Sequence, residues 1–387
     1  MMRSKMHDVI VVGAGPIGSY TACLLAQEGL DVGVFEKNPF IGKDINCTGI
    51  VSAECIKKFD LPDEVILGQV NSIKAFSPSG KCLRYKSATP LAYIINRSLF
   101  DREINKMAVR EGAEIHLNAR VKEVNNTGGV FEVKVKTEGK ARTFRSRTGV
   151  IATGFEINSL DGVLSGPKDF LYGIQTDIKV QDICDIEIYF GEKVAPGSFG
   201  WIVPTDDNSA KVGLMTKENP AALLRRFLRN PLIAHRLDIC ENQIKCSPIP
   251  FGRIPKSYAE RLIIVGEAAG QVKTTTGGGI YFGLLCSEIA VRTILKAVKN
   301  GDYSENLFQE YERTWRSRLE PELKAGMMLR NMFSRLSDRQ IDLLIDFARQ
   351  DGILPMIKKT DFDWHKDLIA SILRHLVSKK FFGKWSD

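Results

Sequence analysis

Three glycines, Gly13, Gly15 and Gly18, with an acid at Glu36, form a set whose types and spacing suit the binding of a dinucleotide. In the run Gly13-Ala14-Gly15-x-x-Gly18 the first glycine permits a sharp strand-to-helix turn. The second lets the backbone approach a pyrophosphate, and the third allows close helix–strand packing. The N-terminus of the following helix favours the phosphate charge. Glu36 falls where a carboxylate accepts hydrogen bonds from ribose hydroxyls. Far downstream, Glu267 stands in a second glycine turn, and Gly277, Gly278, Gly279 and Ile280 open another apolar run. Successive glycines let backbone amides approach a flat ring or its ribityl chain. FAD and NAD can share the first unit, but the helix dipole behind these glycines would stabilise negative charge developing on a reduced flavin.

The elements that must position these groups are visible as patterns. Val9 to Val12 is a short apolar run without alternation, as expected of a buried parallel strand. The helical stretch after Gly18 stops at Gly29, and Asp31 to Phe35 reads as a second strand ending in Glu36. Together they make a strand–turn–helix–strand unit of about thirty residues, the context dinucleotide binding requires. Alternation around 70–95 and 120–135 predicts sheet strands, 101–111 a helix, and Val150 to Gly154 a strand ending in a turn. Ile186 to Phe190, Gly200 to Val203 and Ala210 to Leu214 predict antiparallel strands of a second sheet. Arg261 to Val265 returns to a buried strand, and the chain is expected to be helical beyond Gly301. The expected class is α/β. A Rossmann-like domain, discontinuous over 1–70, 90–160 and 255–300, carries an inserted antiparallel β-sheet domain for substrate (71–89 and 161–254) and a helical C-terminal region (301–387).

With 387 residues, 44% of them hydrophobic, the chain can bury a core without disulfides, and its composition excludes a disordered or collagen-like protein. The net charge of +8 is not gathered in one block, so nucleic acid is not expected as a partner; anionic lipid or an acidic protein suits it. Eight cysteines without a C-x-x-C pair read as thiols. Five histidines without ligand spacing predict no metal site. No apolar run approaches the about twenty residues of a membrane span, and no signal peptide is evident. The expected localisation is cytoplasmic, with peripheral contact at the inner membrane face as an additional reading. That second reading rests on Trp364, Leu368, Ile372 and Leu376, a stripe at helical spacing accompanied by Lys366, Arg374, Lys379, Lys380 and Lys384. Such a stripe either lies on an anionic membrane, covers a lipid pocket, or is a core helix with a solvated basic face.

Several runs together resemble the FAD-dependent geranylgeranyl reductase family, within the larger p-hydroxybenzoate-hydroxylase-like flavoproteins. They are the N-terminal fingerprint, Cys47-Thr48-Gly49, Asn96-Arg97-x-x-Phe100-Asp101, the strand from Pro196 to Pro204, and Gly266 through Ile280. The resemblance implies FAD as cofactor and saturation of isoprenoid double bonds; archaeal members act on digeranylgeranylglycerol phospholipids and photosynthetic relatives on pigment side chains. Family FAD contacts fall on Gly15, Glu36, Cys47, Thr48, Arg97, Val121, Glu267, Gly279 and Ile280. Cys47 would be a small polar neighbour of the flavin or simply a buried thiol, and Arg97 a multi-donor clamp. Glu267 stands where the family usually has aspartate.

The strand Pro196 to Pro204 resembles the family's P-x-x-Y-x-W-x-F-P segment, with Phe199 for tyrosine and Val203 for phenylalanine. Phe199, Trp201 and Pro204 are expected to line an isoprenoid pocket, with ordinary sheet packing as the other reading. No residue is assigned to proton delivery. The alternatives are a flavin monooxygenase or halogenase on the same fold, and a flavin-containing electron-transfer or lipid-binding protein without turnover. Ala152-Thr153-Gly154 lacks the aspartate of the related hydroxylases, and Phe199 occupies the place of a halogenase tryptophan. The expected electron donor is either an acidic ferredoxin, suited by the positive charge, or NAD(P)H, for which no second glycine fingerprint appears.

Overall fold

The computed structural model describes residues 6–126, 128–137, 140–162, 164–238, 243–252, 254–350 and 361–378. At its centre is a parallel sheet in which Leu262–Ile264, Lys140–Ile151, Met6–Val12, Val32–Phe35 and Glu114–His116 lie side by side in that order. Tyr258–Ala259 adds an antiparallel edge, and Phe131–Thr137 and Arg120–Asn125 form an antiparallel meander on Lys140–Ile151.

The uninterrupted apolar strands are explained by burial on both faces. Val9, Val11, Val32 and Val34 join the core beneath helices Pro16–Gln27, Arg97–Arg110 and Ile280–Asn300. Ile10, Val12 and Phe35 face the opposite way, toward Phe131, Val133 and Val135 of the meander.

The second sheet runs Leu237–Asp238, Asp169–Val180, Ser209–Thr216, Gly200–Asp206, Ile186–Tyr189, Ser72–Phe76 and Cys82–Lys86, with Ile244–Phe251 also paired to Asp169–Val180. Its strand pairs are antiparallel except where Ile186–Tyr189 meets Ser72–Phe76. A three-stranded sheet of Ile50–Val51, Ala92–Ile95 and Ile66–Val70 is packed against it through Ile94, Val70, Ile186 and Val203.

The C-terminal region contains helices Glu305–Phe333, Asp338–Gln350 and Lys366–Ser378. Expected helix at 351–360 and beyond 378, with Lys379, Lys380 and Lys384, lies outside the described residues. The long helix is anchored on the parallel sheet by Trp315, whose Nε1 donates to Ser257 Oγ at 2.9 Å. Its Glu322 carboxylate accepts the backbone N–H groups of His365 and Lys366 at 2.7 and 2.8 Å, satisfying the orphan donors where the last helix begins. No helix among the described residues is long and apolar enough to cross a membrane.

Candidate functional site

The site forms where the parallel strands end. Gly13 follows Val12 at φ 99°, a region closed to ordinary side chains, and a Cβ there would meet the Ala152 carbonyl oxygen at 2.6 Å. A Cβ on Gly18 would collide with the Gly13 carbonyl. Gly15 differs: nothing lies within 4 Å of the position a Cβ would take, and helix Pro16–Gln27 starts there without a side-chain cap. The amide end of that helix therefore faces open space.

Glu36 is buried at the end of the second strand. Its Oε2 accepts the Ala14 N–H and its Oε1 the Asn38 N–H, both at 2.9 Å. Ala14 thus positions the carboxylate. Val121 is half-buried and, with Gly13, Phe35 and Thr153, lines a cavity of about 60 Å³. The Thr153 hydroxyl is buried without a hydrogen-bond partner.

Arg97 opens helix Arg97–Arg110, capped by the Asn96 side chain, which accepts the Leu99 N–H at 3.0 Å. Only 11% of the Arg97 side chain is exposed, and it pairs with Asp101 at 2.9 Å. Burial opposes its charge, but Asp101 and the Cys47 sulfur beside it hold the guanidinium protonated more firmly than usual. Its Nε is buried without a partner.

The second sheet fixes the loop that carries Cys47 and Thr48. Ile188, Trp201, Gly213, Gln175 and Lys245 are register neighbours in one row across that sheet. Thr48 donates to Gln175 Oε1 at 3.1 Å and the Lys245 ammonium to the Ile45 carbonyl at 3.3 Å. Lys211, on the same strand as Gly213, donates to the Cys47 carbonyl at 2.9 Å. Asn46 donates to the Gly173 carbonyl at 2.8 Å and to Ser247 Oγ at 2.7 Å. Burial lowers the affinity of Lys211 for its proton, against the opposing influence of Cys47 and Asp177.

The downstream acid closes the cleft. Its turn is held by Gln271, whose Oε1 accepts the Gly266 N–H at 2.7 Å while its Nε2 donates to the Tyr311 hydroxyl at 2.7 Å. Gly154 and Gly279 flank Glu267: Cβ atoms on them would lie 3.6 and 3.5 Å from its side chain. Burial raises the Glu267 carboxyl, with Arg97 partly offsetting the rise. Gly279 begins helix Ile280–Asn300 without a side-chain cap, and Ile280 packs on the main core. Two uncapped helix starts, the open face of Gly15 and two orphaned buried polar atoms fit a bound dinucleotide.

The three residues expected to line a substrate pocket are placed differently from one another. The Phe199 and Trp201 rings lie 6.1 Å apart, and Trp201 joins Ile94, Ile186 and Val203 between the sheets. Pro204 is two residues from Ile202, so the strand alternation puts it on the other face, where Ile202 packs with Leu224 and Phe227.

Another space abuts the glycine loop. A cavity of about 980 Å³ is bounded by Thr274, Thr275 and Thr276 on one side. Leu323, Met327 and Met328 of the long helix and Leu368, Ile372 and Leu376 of the last helix form much of the rest. Its lining contains none of Phe199, Trp201 and Pro204, although Phe333 on its wall meets Phe190, which in turn meets Phe199. The apolar stripe of the last helix therefore faces this cavity. Trp364, which precedes that helix, packs instead on Phe282 at 5.5 Å. The sequence pattern exposed the stripe on the last helix. It did not disclose Lys211 or Gln175, whose partners are distant in the chain.

Comparison with known proteins follows the same lines. Residues 11–68 match the model of an NAD(P)-binding Rossmann-like domain. The digeranylgeranylglycerophospholipid reductase of Methanocaldococcus jannaschii is 31% identical over 367 residues, covering 90% of this chain and 93% of the relative. Reductase 1 of that name from Methanococcoides burtonii is 30% identical over 412 residues, covering 98% and 97%. Among solved structures, a geranylgeranyl bacteriochlorophyll reductase-like protein from Thermoplasma acidophilum superimposes with a TM-score of 0.82 at 24% identity, over 90% of this chain and 92% of that one. A flavin-dependent brominase superimposes with a TM-score of 0.75 at 17% identity, over 97% of this chain and 100% of that one. The fold is thus shared across several chemistries, while the sequence similarity to the reductases spans nearly the whole chain: the protein belongs to the geranylgeranyl reductase family.

Proposed function

We propose that this chain is an FAD-dependent reductase that saturates the carbon–carbon double bonds of geranylgeranyl chains, with digeranylgeranylglycerol phospholipid as the substrate. The observation that carries this reading is the roomy apolar cavity lined by Leu323, Met327, Leu368 and Ile372 and walled by the threonines that lead into the glycine loop. Its volume of about 980 Å³ is at the upper end of small-molecule sites, and its aliphatic lining suits a hydrocarbon chain.

Bound FAD would supply hydride after reduction. The chain's own groups do the remaining work. Glu36 and the helix start at Gly15 would hold the ribose and pyrophosphate of the cofactor, and Thr153 and Val121 its nucleoside end. Arg97, Cys47, Thr48, Glu267 and the amides from Gly279 into Ile280 would hold its flavin end. The leucines and methionines exclude water and hold an extended chain beside the glycine loop, so that binding energy along the hydrocarbon fixes the reacting carbon. Isoprenoid lipid is the partner this supports, with ferredoxin or NAD(P)H as donor and the surface of an anionic membrane as its source.

The test is direct. Purified protein carrying FAD is reduced with dithionite and given unsaturated digeranylgeranylglycerol phospholipid, and lipid masses are followed. Addition of two hydrogens per double bond is expected. Unchanged lipid, or oxygen consumption coupled to hydroxylation of a small substrate, overturns the proposal.

A further inference from the structure

Away from the cleft, a second constellation spans three strands of the parallel sheet. His7 is buried in Met6–Val12, and Glu114 and His116 alternate on the edge strand Glu114–His116; Val32–Phe35 runs between the two. One potential ligand atom from each of His7, Glu114 and His116 lies within 4.8 Å of the other two.

Three details make this more than proximity. His7 Nδ1 lies 2.9 Å from Asp31 Oδ1, so the carboxylate accepts the Nδ1–H and leaves the Nε2 lone pair for coordination. This is the outer-carboxylate arrangement that orients metal-binding imidazoles. The intervening strand also yields space: a Cβ on Gly33 would lie 2.9 Å from His7 Nε2, so only glycine lets the ring extend over that strand. On the edge strand, Glu114 Oε1 and His116 Nε2 are 3.3 Å apart. Ligands at zinc distances of about 2.0–2.1 Å in a tetrahedron are separated by about 3.3–3.4 Å, so this edge of the polyhedron is already formed.

We propose that His7, Glu114 and His116 bind a divalent transition cation of the zinc type, with Asp31 holding His7 and solvent completing the coordination. Two imidazoles and one carboxylate are borderline donors that suit zinc over magnesium or calcium. Glu114 is half exposed, which gives the ion an entry path. The site ties the first strand to the edge strand whose His116 carbonyl accepts the Glu36 N–H at 2.9 Å. Spacing along the chain predicts no metal here; the sheet order supplies the proximity.

The experiment uses the full chain without an affinity tag, stripped by chelator and then exposed to zinc. After gel filtration one zinc per chain is expected, and cobalt in its place should give visible ligand-field bands. Glu114→Gln and His116→Gln are each expected to weaken zinc affinity by at least tenfold, and Asp31→Asn by about 10- to 100-fold. Circular dichroism of the metal-free variants checks their fold. Retention below a tenth of an equivalent by the unmodified chain overturns the proposal, as does undiminished zinc binding by folded Glu114→Gln and His116→Gln proteins.

Discussion

Lys273 and Asp363 offer a quantitative test of how the C-terminal region is attached to the glycine loop. Their charged groups meet at 2.7 Å with side chains only 8% and 2% exposed, and the ammonium also lies 5.0 Å from the Phe362 ring centroid. Removing one member of such a pair leaves a buried charge without its counterion, at a cost of about 3–5 kcal/mol. Lys273→Met retains the stem that packs over Gly278, where a Cβ would lie 2.9 Å from Lys273 Cε, so the substitution isolates the charge. For 387 residues at about 2.1 cal/mol/K each, the unfolding entropy is about 0.8 kcal/mol/K, and a loss of about 4 kcal/mol lowers Tm by about 5 °C. Asp363→Leu should behave similarly. The double variant Lys273→Met with Asp363→Leu should recover most of the loss, because an apolar pair can replace a buried ion pair nearly neutrally. Denaturant unfolding followed by tryptophan fluorescence reads all four proteins, with Trp364 adjacent to the pair as a local reporter. Single losses below about 1 kcal/mol that simply add in the double variant would refute the reasoning.

Three further outcomes are expected. Arg97→Lys keeps a charge but not the planar fork, and should weaken flavin retention at least tenfold by ultrafiltration while far-UV circular dichroism is unchanged. Burial, with Lys273 nearby, lowers His365 below its usual value, so the folded state binds fewer protons than the unfolded one. Stability should therefore be complete above about pH 6.5 and fall as pH drops from there through the folded value, with a slope of up to about 1.4 kcal/mol per pH unit; His365→Gln should flatten that slope in urea titrations. Leu368→Glu with Ile372→Glu introduces charge into the apolar cavity and should reduce prenyl-lipid turnover by more than tenfold while leaving bound flavin absorbance intact. Equal loss of flavin from that variant would show that the cavity wall and cofactor cradle are one unit.

The sequence made the cofactor end of the cleft readable because its requirements are local. Gly13, Gly15 and Gly18 answer to one turn, and Glu36 must end the next strand, so a short window contains the signal. The apolar runs likewise identified the parallel strands, since burial on both faces removes alternation. What was hidden depends on the closing of long loops. Gln175 meets Thr48, and Lys273 meets Asp363, only after two sheets and a helical region have assembled. The helix expected over 101–111 starts earlier, at Arg97, because the Asn96 side chain caps it and the polar residues that follow are tolerated there. Phe199 and Trp201 carried a pattern that suggested a pocket; the apolar cavity is lined instead by the stripe of the last helix, which its helical spacing marked, and by Leu323, Met327 and Met328 of the long helix, which no short motif marks.

The division of labour between the two ends of the chain has an evolutionary consequence. The residues proposed for the cofactor fall in 13–48, at 97, 121 and 153, and in 267–280, whereas most of the apolar cavity's lining comes from Leu323 onward. Exchanges of one aliphatic residue for another in the late helices can lengthen, shorten or bend the chamber while leaving the redox apparatus in place. On the proposed function, a change of prenyl tail could thus be met by substitutions in the last fifth of the chain alone.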